Sequence, residues 1–159
     1  MWATVDYART ASSLSLVPPA VALGVHLLVT AFLGRVIDRS QRQVMAENPV
    51  RPRGRVVRTG SLQAPLSVQE VRGAVLRAVA EHGRAKVLRS NDRTVLIRVG
   101  LSWRSAGEFI LLEMDTEAAA STHLHVASWP VLSTTLIDYG KNSANVAWLL
   151  RALPVTPQR

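Results

Sequence analysis

Residues 12–33 read SSLSLVPPAVALGVHLLVTAFL, 22 positions without a formal charge. A helix needs roughly 20 mainly apolar residues to cross the hydrocarbon core of a bilayer. The run is therefore read as a single transmembrane helix over about residues 18–38. Pro18 and Pro19 fit its first turn, where a missing N–H costs nothing. Two other readings compete. A signal peptide wants a basic start, an apolar core of about 7–15 residues and a small-x-small cleavage site. Here Arg9 is balanced by Asp6, the proline pair interrupts the core, and no A-x-A precedes Arg35. The third reading, a buried helix of a soluble fold, rests on the shortness of the strictly apolar part after the prolines.

The flanks give an orientation. Cytoplasmic flanks carry an excess of Lys and Arg. The N-terminal side offers Arg9; the C-terminal side offers Arg35, Arg39 and Arg42. The expectation is a cell-membrane protein with its N-terminus outside and its domain in the cytoplasm. Trp2 and Tyr7 suit the outer interface. His26 lies mid-run, where an ionisable group is a functional candidate by default. No carboxylate in the run can pair with it, so a neutral, hydrogen-bonded imidazole is the plainer reading.

Working outward, residues 1–39 form the N-terminal segment and span, and 40–58 a basic neck. Between Arg35 and Arg58 seven arginines face two carboxylates, Asp38 and Glu47. Asn48-Pro49 ends the helical pattern, since the residue before proline disfavours helix. Arg51, Arg53 and Arg55 follow in the extended RPRGR. With Arg35, Arg39 and Arg42 they form a set suited to anionic headgroups, worth roughly 1 kcal/mol each near a surface. Aromatic residues that would stack on single-stranded bases are missing among them. Nucleic acid is not an expected partner; membrane lipid and another protein are.

Residues 55–153 are read as one α+β domain, and 154–159 as a tail. Arg55 to Gln63 suggests a first strand. Ser67-x-x-Glu70 is a capping box, followed by a helix with Val68, Val71, Val75, Ala78, Val79 and His82 on one stripe and Gly83 as its stop. Ala85–Arg89 and Thr94–Trp103 read as strands. Glu108–Met114 is a strand apolar on both faces, hence central or covered. Residues 115–120 read as a loop, and Thr122–Trp129 as a fifth strand closed by Pro130. A helix ends the domain, with Val146, Leu149, Leu150 and Leu153 facing inward. This β-α-β4-α order resembles that of TATA-binding-protein-like and helix-grip domains. The resemblance implies helices on one face of a curved antiparallel sheet and a groove between sheet and last helix.

With no cysteine in the chain, disulfide, thiol and Cys-ligated metal chemistry are excluded. Neither G-x-S-x-G nor H-E-x-x-H occurs. Two segments carry the ligand- or partner-binding candidates. SWRSAGE holds Trp103, Arg104 and Glu108; DYGKN holds Asp138, Tyr139, Lys141 and Asn142. Each has a plain alternative: a hairpin corner with Arg104 on Glu108, and a helix cap from Asp138, Asn142 or Ser143. His123 and His125 share one face of a strand and could be two ligands of a metal; Glu108 or Glu113 could add a third. A polar outer face explains them as well. No cofactor and no catalytic residue is selected. The favoured function is a non-catalytic accessory module on a membrane anchor, with an apolar-ligand pocket and a His-dependent metal enzyme as alternatives.

Overall fold

The structure, a computed structural model, describes residues 19–102, 105–118, 120–132, 134–135, 137 and 139–153. Residues 1–18 and 154–159, with Trp103, Arg104 and Asp138, lie outside them. Two compact units divide between Arg35 and Val36. The first contains the start of helix α1 (Pro19–Ala46). This helix is long and apolar enough to cross a membrane, and its most apolar window is wholly unburied.

The second unit runs from Val36. After the end of α1 come β1 (Arg58–Ala64), α2 (Val68–Glu81), β2 (Ala85–Ser90), β3 (Thr94–Val99), β4 (Glu108–Ala118), β5 (Ser121–Pro130) and α3 (Lys141–Arg151). The strands form one antiparallel sheet in the order β1-β5-β4-β3-β2. The α+β class and the β-α-β4-α order expected from the sequence are what is found. β4 is the central strand, which explains why FILLEM is apolar on both faces.

Alternation along β4 sorts the core into two layers. Ile110, Leu112 and Met114 join Val95, Ile97, Leu124 and Val126 beneath Val71, Val75 and Val79 of α2 and Val146 and Leu149 of α3. Phe109 and Leu111 point the other way, to Leu96, Trp129 and Val131. Phe109 and Trp129 rings lie 5.7 Å apart across the β4–β5 pair. What covers this second layer is the segment read as a neck. Val44 and Val50 are buried in it, with Ile37 and Val57 packed alongside. Ser40 Oγ donates to Val131 O at 2.6 Å, and Arg89 donates to the carbonyls of Met45 and Glu47. Helices thus cover both faces of the sheet. The physical reason is β4 itself: a strand apolar on both sides cannot leave one side to water.

The capping box forms, with Glu70 N–H donating to Ser67 Oγ and Ser67 N–H to Glu70 Oε2. Gly83 takes φ +71, the left-handed stop that suits glycine. Three strand boundaries differ from the sequence reading by more than one residue. β1 starts at Arg58. β3 ends at Val99, leaving Leu101 exposed. Residues 115–118 extend β4, and the hairpin pairs Asp115 with His123 and Thr116 with Thr122. Once the apolar part of the ladder is fixed, further pairs add hydrogen bonds without closing a new loop.

Val44 and Met45 test the covering segment. Val44→Asp places a charge against Leu96 and Phe109 and should lower the urea midpoint of the domain by an amount worth roughly 2–4 kcal/mol. Met45→Asp, on the outer side, should shift it by less than about 0.5 kcal/mol. Equal midpoints would remove Val44 from the core.

Candidate functional site

Glu108 of SWRSAGE and Asn142 of DYGKN, far apart in sequence, join one polar cluster at one end of the sheet. Val99 pairs with Glu108, and Glu108 with Pro130, so the β3–β4 and β5–α3 connections leave from the same end. Glu108 is turned inward beneath α3 and only 1% exposed. Its Oε2 accepts from Asn145 Nδ2 at 3.5 Å, and its Oε1 has no partner among the described residues. Asn145 Nδ2 also reaches Ser128 Oγ at 3.4 Å. Ser128 Oγ donates to Asn142 Oδ1 at 2.9 Å, and Asn142 Nδ2 to Val56 O at 3.0 Å. These contacts join β4, β5, α3 and the entry to β1 through one buried polar cluster.

The cluster has a structural consequence. α3 starts at Gly140, whose side-chain position offers no cap. The caps suggested for Asn142 and Ser143 are not what begins the helix; Asn142 is buried against Ser128 instead. The Asn142 and Asn145 amides tie the first turns of the helix to the sheet. Glu108 and Asn142 are buried, Lys141 is half-buried, and Tyr139 is exposed with φ 49, left-handed backbone that favours glycine. No signal in the sequence singled out Ser128 or Asn145, because lone Ser and Asn residues in a strand and a helix read as surface.

At the C-terminal end of α2, His82 stacks on Trp148 of α3, ring centroids 4.5 Å apart at 60°. With Ala78, Glu81, Arg151 and Ala152 they line an open trough of about 390 Å³. Burial first, then the nearby Lys141 and Arg84 cations, push the His82 pKa below its ordinary value. Its Nδ1 is buried without a partner among the described residues. The imidazole is thus kept neutral, a packing surface for the indole.

His123 and His125 alternate with buried Leu124 and Val126, on the sheet face away from α2 and α3. Their rings meet edge to face at 4.7 Å. They lie opposite Asp115 and Glu113 in register. Among the described residues no group of three His, Asp or Glu side chains is arranged to hold a metal ion. Glu108, the other ligand considered, is on the opposite face.

The basic set is divided. Arg39 is beside Val131 and Leu132, where the chain enters the domain. Arg51 and Arg53 follow Val50, which lies near Thr94 and Glu113 at the opposite end. Arg42 is paired with Asp38 and Arg53 with Glu47; Arg35 and Arg55 are exposed.

No family model matches the sequence, and no curated protein matches it. Solved structures do. A START superfamily protein from Mycobacterium smegmatis has a TM-score of 0.45 at 9% identity, over 61% of this chain and 93% of that one. An uncharacterised protein from Bacillus thuringiensis has 0.44 at 11%, over 62% and 96%. A conserved protein of unknown function from Enterococcus faecalis has 0.41 at 14%, over 72% and 78%.

Two outcomes are expected here. Glu108→Leu and Asn145→Leu should each cost about 1–3 kcal/mol in urea unfolding, and the double variant less than their sum, because each single change strands the other's polar atoms. Additive losses would mean that the two side chains are not coupled. For His82 the folded pKa lies below the unfolded value of about 6.5. Its contribution is therefore fully present above about pH 6.5 and lost as pH falls toward the folded pKa. Thermal midpoints should drop on acidification, and His82→Phe, which keeps a ring on Trp148, should flatten that drop. An unchanged slope would dismiss the role.

Proposed function

We propose that this chain is a single-pass membrane protein whose cytoplasmic α+β domain is a non-catalytic module that binds lipid or a partner protein. One observation carries the reading: helix α1 exposes Val21 through Leu33 yet buries Val44 in the domain core. An apolar helix face without protein cover needs lipid or another chain around it. The described apolar part, Pro19 to Leu33, has 15 residues. That is about 22 Å of helix at 1.5 Å per residue, short of a hydrocarbon core of about 30 Å. The sequence just before Pro19, residues 12–18, carries no formal charge. Arg35, Arg39 and Arg42 on the C-terminal side support the cytoplasmic orientation of the domain.

The non-catalytic part of the reading is supported by Glu108, the carboxylate of SWRSAGE, being enclosed at 1% exposure. An apolar-ligand pocket is the alternative. What bears on it is Gly60: a Cβ there would stand 2.7 Å from Val146 Cγ1, so α3 lies directly on β1. Among the described residues, the trough beside Trp148 is one space open to a ligand.

Membrane vesicles test the anchor and its orientation together. Alkaline carbonate should leave the protein in the membrane. Protease added to inside-out vesicles should remove the domain and spare a short embedded fragment, whereas right-side-out vesicles protect it. Release by carbonate contradicts the anchor; digestion in right-side-out vesicles contradicts the orientation.

A further inference from the structure

Outside α1, three large apolar side chains among the described residues are more than half exposed: Leu101 at 61%, Ile137 at 64% and Tyr139 at 69%. They come from two connections, one after β3 and one before α3. Both connections leave from the same end of the sheet. The chain also enters the domain at that end, where Val36 and Arg39 lie beside Val131, Leu132 and Thr134. By Asn48 it has crossed to the other end, beside Thr94 and Glu113.

Exposed apolar residues scattered singly need no explanation. These three are not scattered. Tyr139 adds a second sign. Its left-handed backbone favours glycine, and its exposed ring gains nothing from the fold, so both factors favour replacing it. A strained residue that the fold does not reward points to a role outside the fold. Charge gives a third. Arg39, Arg84 and Lys141 stand at this end, against Glu81 and an Asp38 already engaged by Arg42. The sequence places Trp103 and Arg104 between Ser102 and Ser105 of the same β3–β4 connection, and Arg35 just before Val36.

We propose that this end of the domain docks on the bilayer surface. Leu101, Ile137 and Tyr139 enter the boundary between headgroups and acyl chains, and Arg39, Arg84 and Lys141 meet anionic headgroups. The inference rests on the membrane-span reading, because the lipid is argued from chain continuity. Val36 is three residues beyond Leu33, which holds it within about 11 Å of the end of the apolar run. The headgroup layer is roughly 5–7 Å deep on each side. The point where the chain enters the domain therefore stays near the interface, and Leu101, Ile137 and Tyr139 are exposed on connections that leave from that same end. The domain is held against the membrane and presents its far end, with Asp92, Glu113 and Asp115, to the cytoplasm.

The chain has no cysteine, so single labels report cleanly. Full-length protein carrying Leu28→Cys, Ile137→Cys or Asp92→Cys is spin-labelled and reconstituted alone in vesicles of phosphatidylcholine and phosphatidylglycerol. Collision with oxygen, enriched in lipid, is compared with collision with a water-soluble nickel chelate. The oxygen-to-nickel ratio at position 137 should exceed that at 92 several-fold and approach that at 28. A ratio at 137 equal to that at 92, with 28 still in lipid, overturns the docking and leaves the span standing. A label at 28 that behaves like the one at 92 overturns both. A label at 137 shielded from both reagents means that a second copy covers it, and this also overturns the inference.

Discussion

A strand that is apolar on both faces has to be covered twice, and β4 is that strand. Phe109, Ile110, Leu111 and Leu112 all lie at or near zero exposure. Each fully buried side chain of this size is worth roughly 1.5–3 kcal/mol, so leaving either layer open would cost a large share of a domain's net stability. α2 and α3 account for one layer. Among the described residues the other is covered by the segment 36–57, through Ile37, Val44, Val50 and Val57. Everything else about the fold follows from this demand. β4 must be central, the hairpins β3–β4 and β4–β5 must flank it, and the end of α1 must lie down on the sheet.

The consequence reaches the membrane end of the chain. A neck of solvated arginines would leave the domain on a tether. Instead, residues 36–46 belong both to helix α1 and to the domain core. The arginines of the segment are surface residues of a packed helix and of the stretch that follows it; Arg42 is tied up by Asp38 and Arg53 by Glu47. Such exposed pairs contribute little stability. Their role is to keep the outer side of the covering segment in water while its inner side packs on Leu96 and Trp129.

The sequence was most readable where one residue pattern has one physical solution. The Ser67–Glu70 box, the alternation of His123, Leu124, His125 and Val126, and the doubly apolar FILLEM could be placed before any coordinates. The covering segment was not legible, because its four inward residues are spaced irregularly among charged neighbours and straddle a proline. The inward turn of Glu108 was hidden for a different reason. A carboxylate next to a turn reads as surface, and only the distant Asn145 and Ser128 give it a place in the interior. Tyr139 was singled out by its neighbours in DYGKN, yet its backbone conformation could not be foreseen, since glycine follows it and would have been the expected holder of a left-handed angle.

Hydrogen exchange on the full chain in vesicles bears most directly on the claim that the segment after the apolar run is part of the domain core. Backbone amides of residues 37–46 should exchange as slowly as those of Phe109 to Leu112 in β4, because both open only when the domain unfolds. Rapid exchange over 37–46, with β4 still protected, would contradict it and return the segment to a solvated neck.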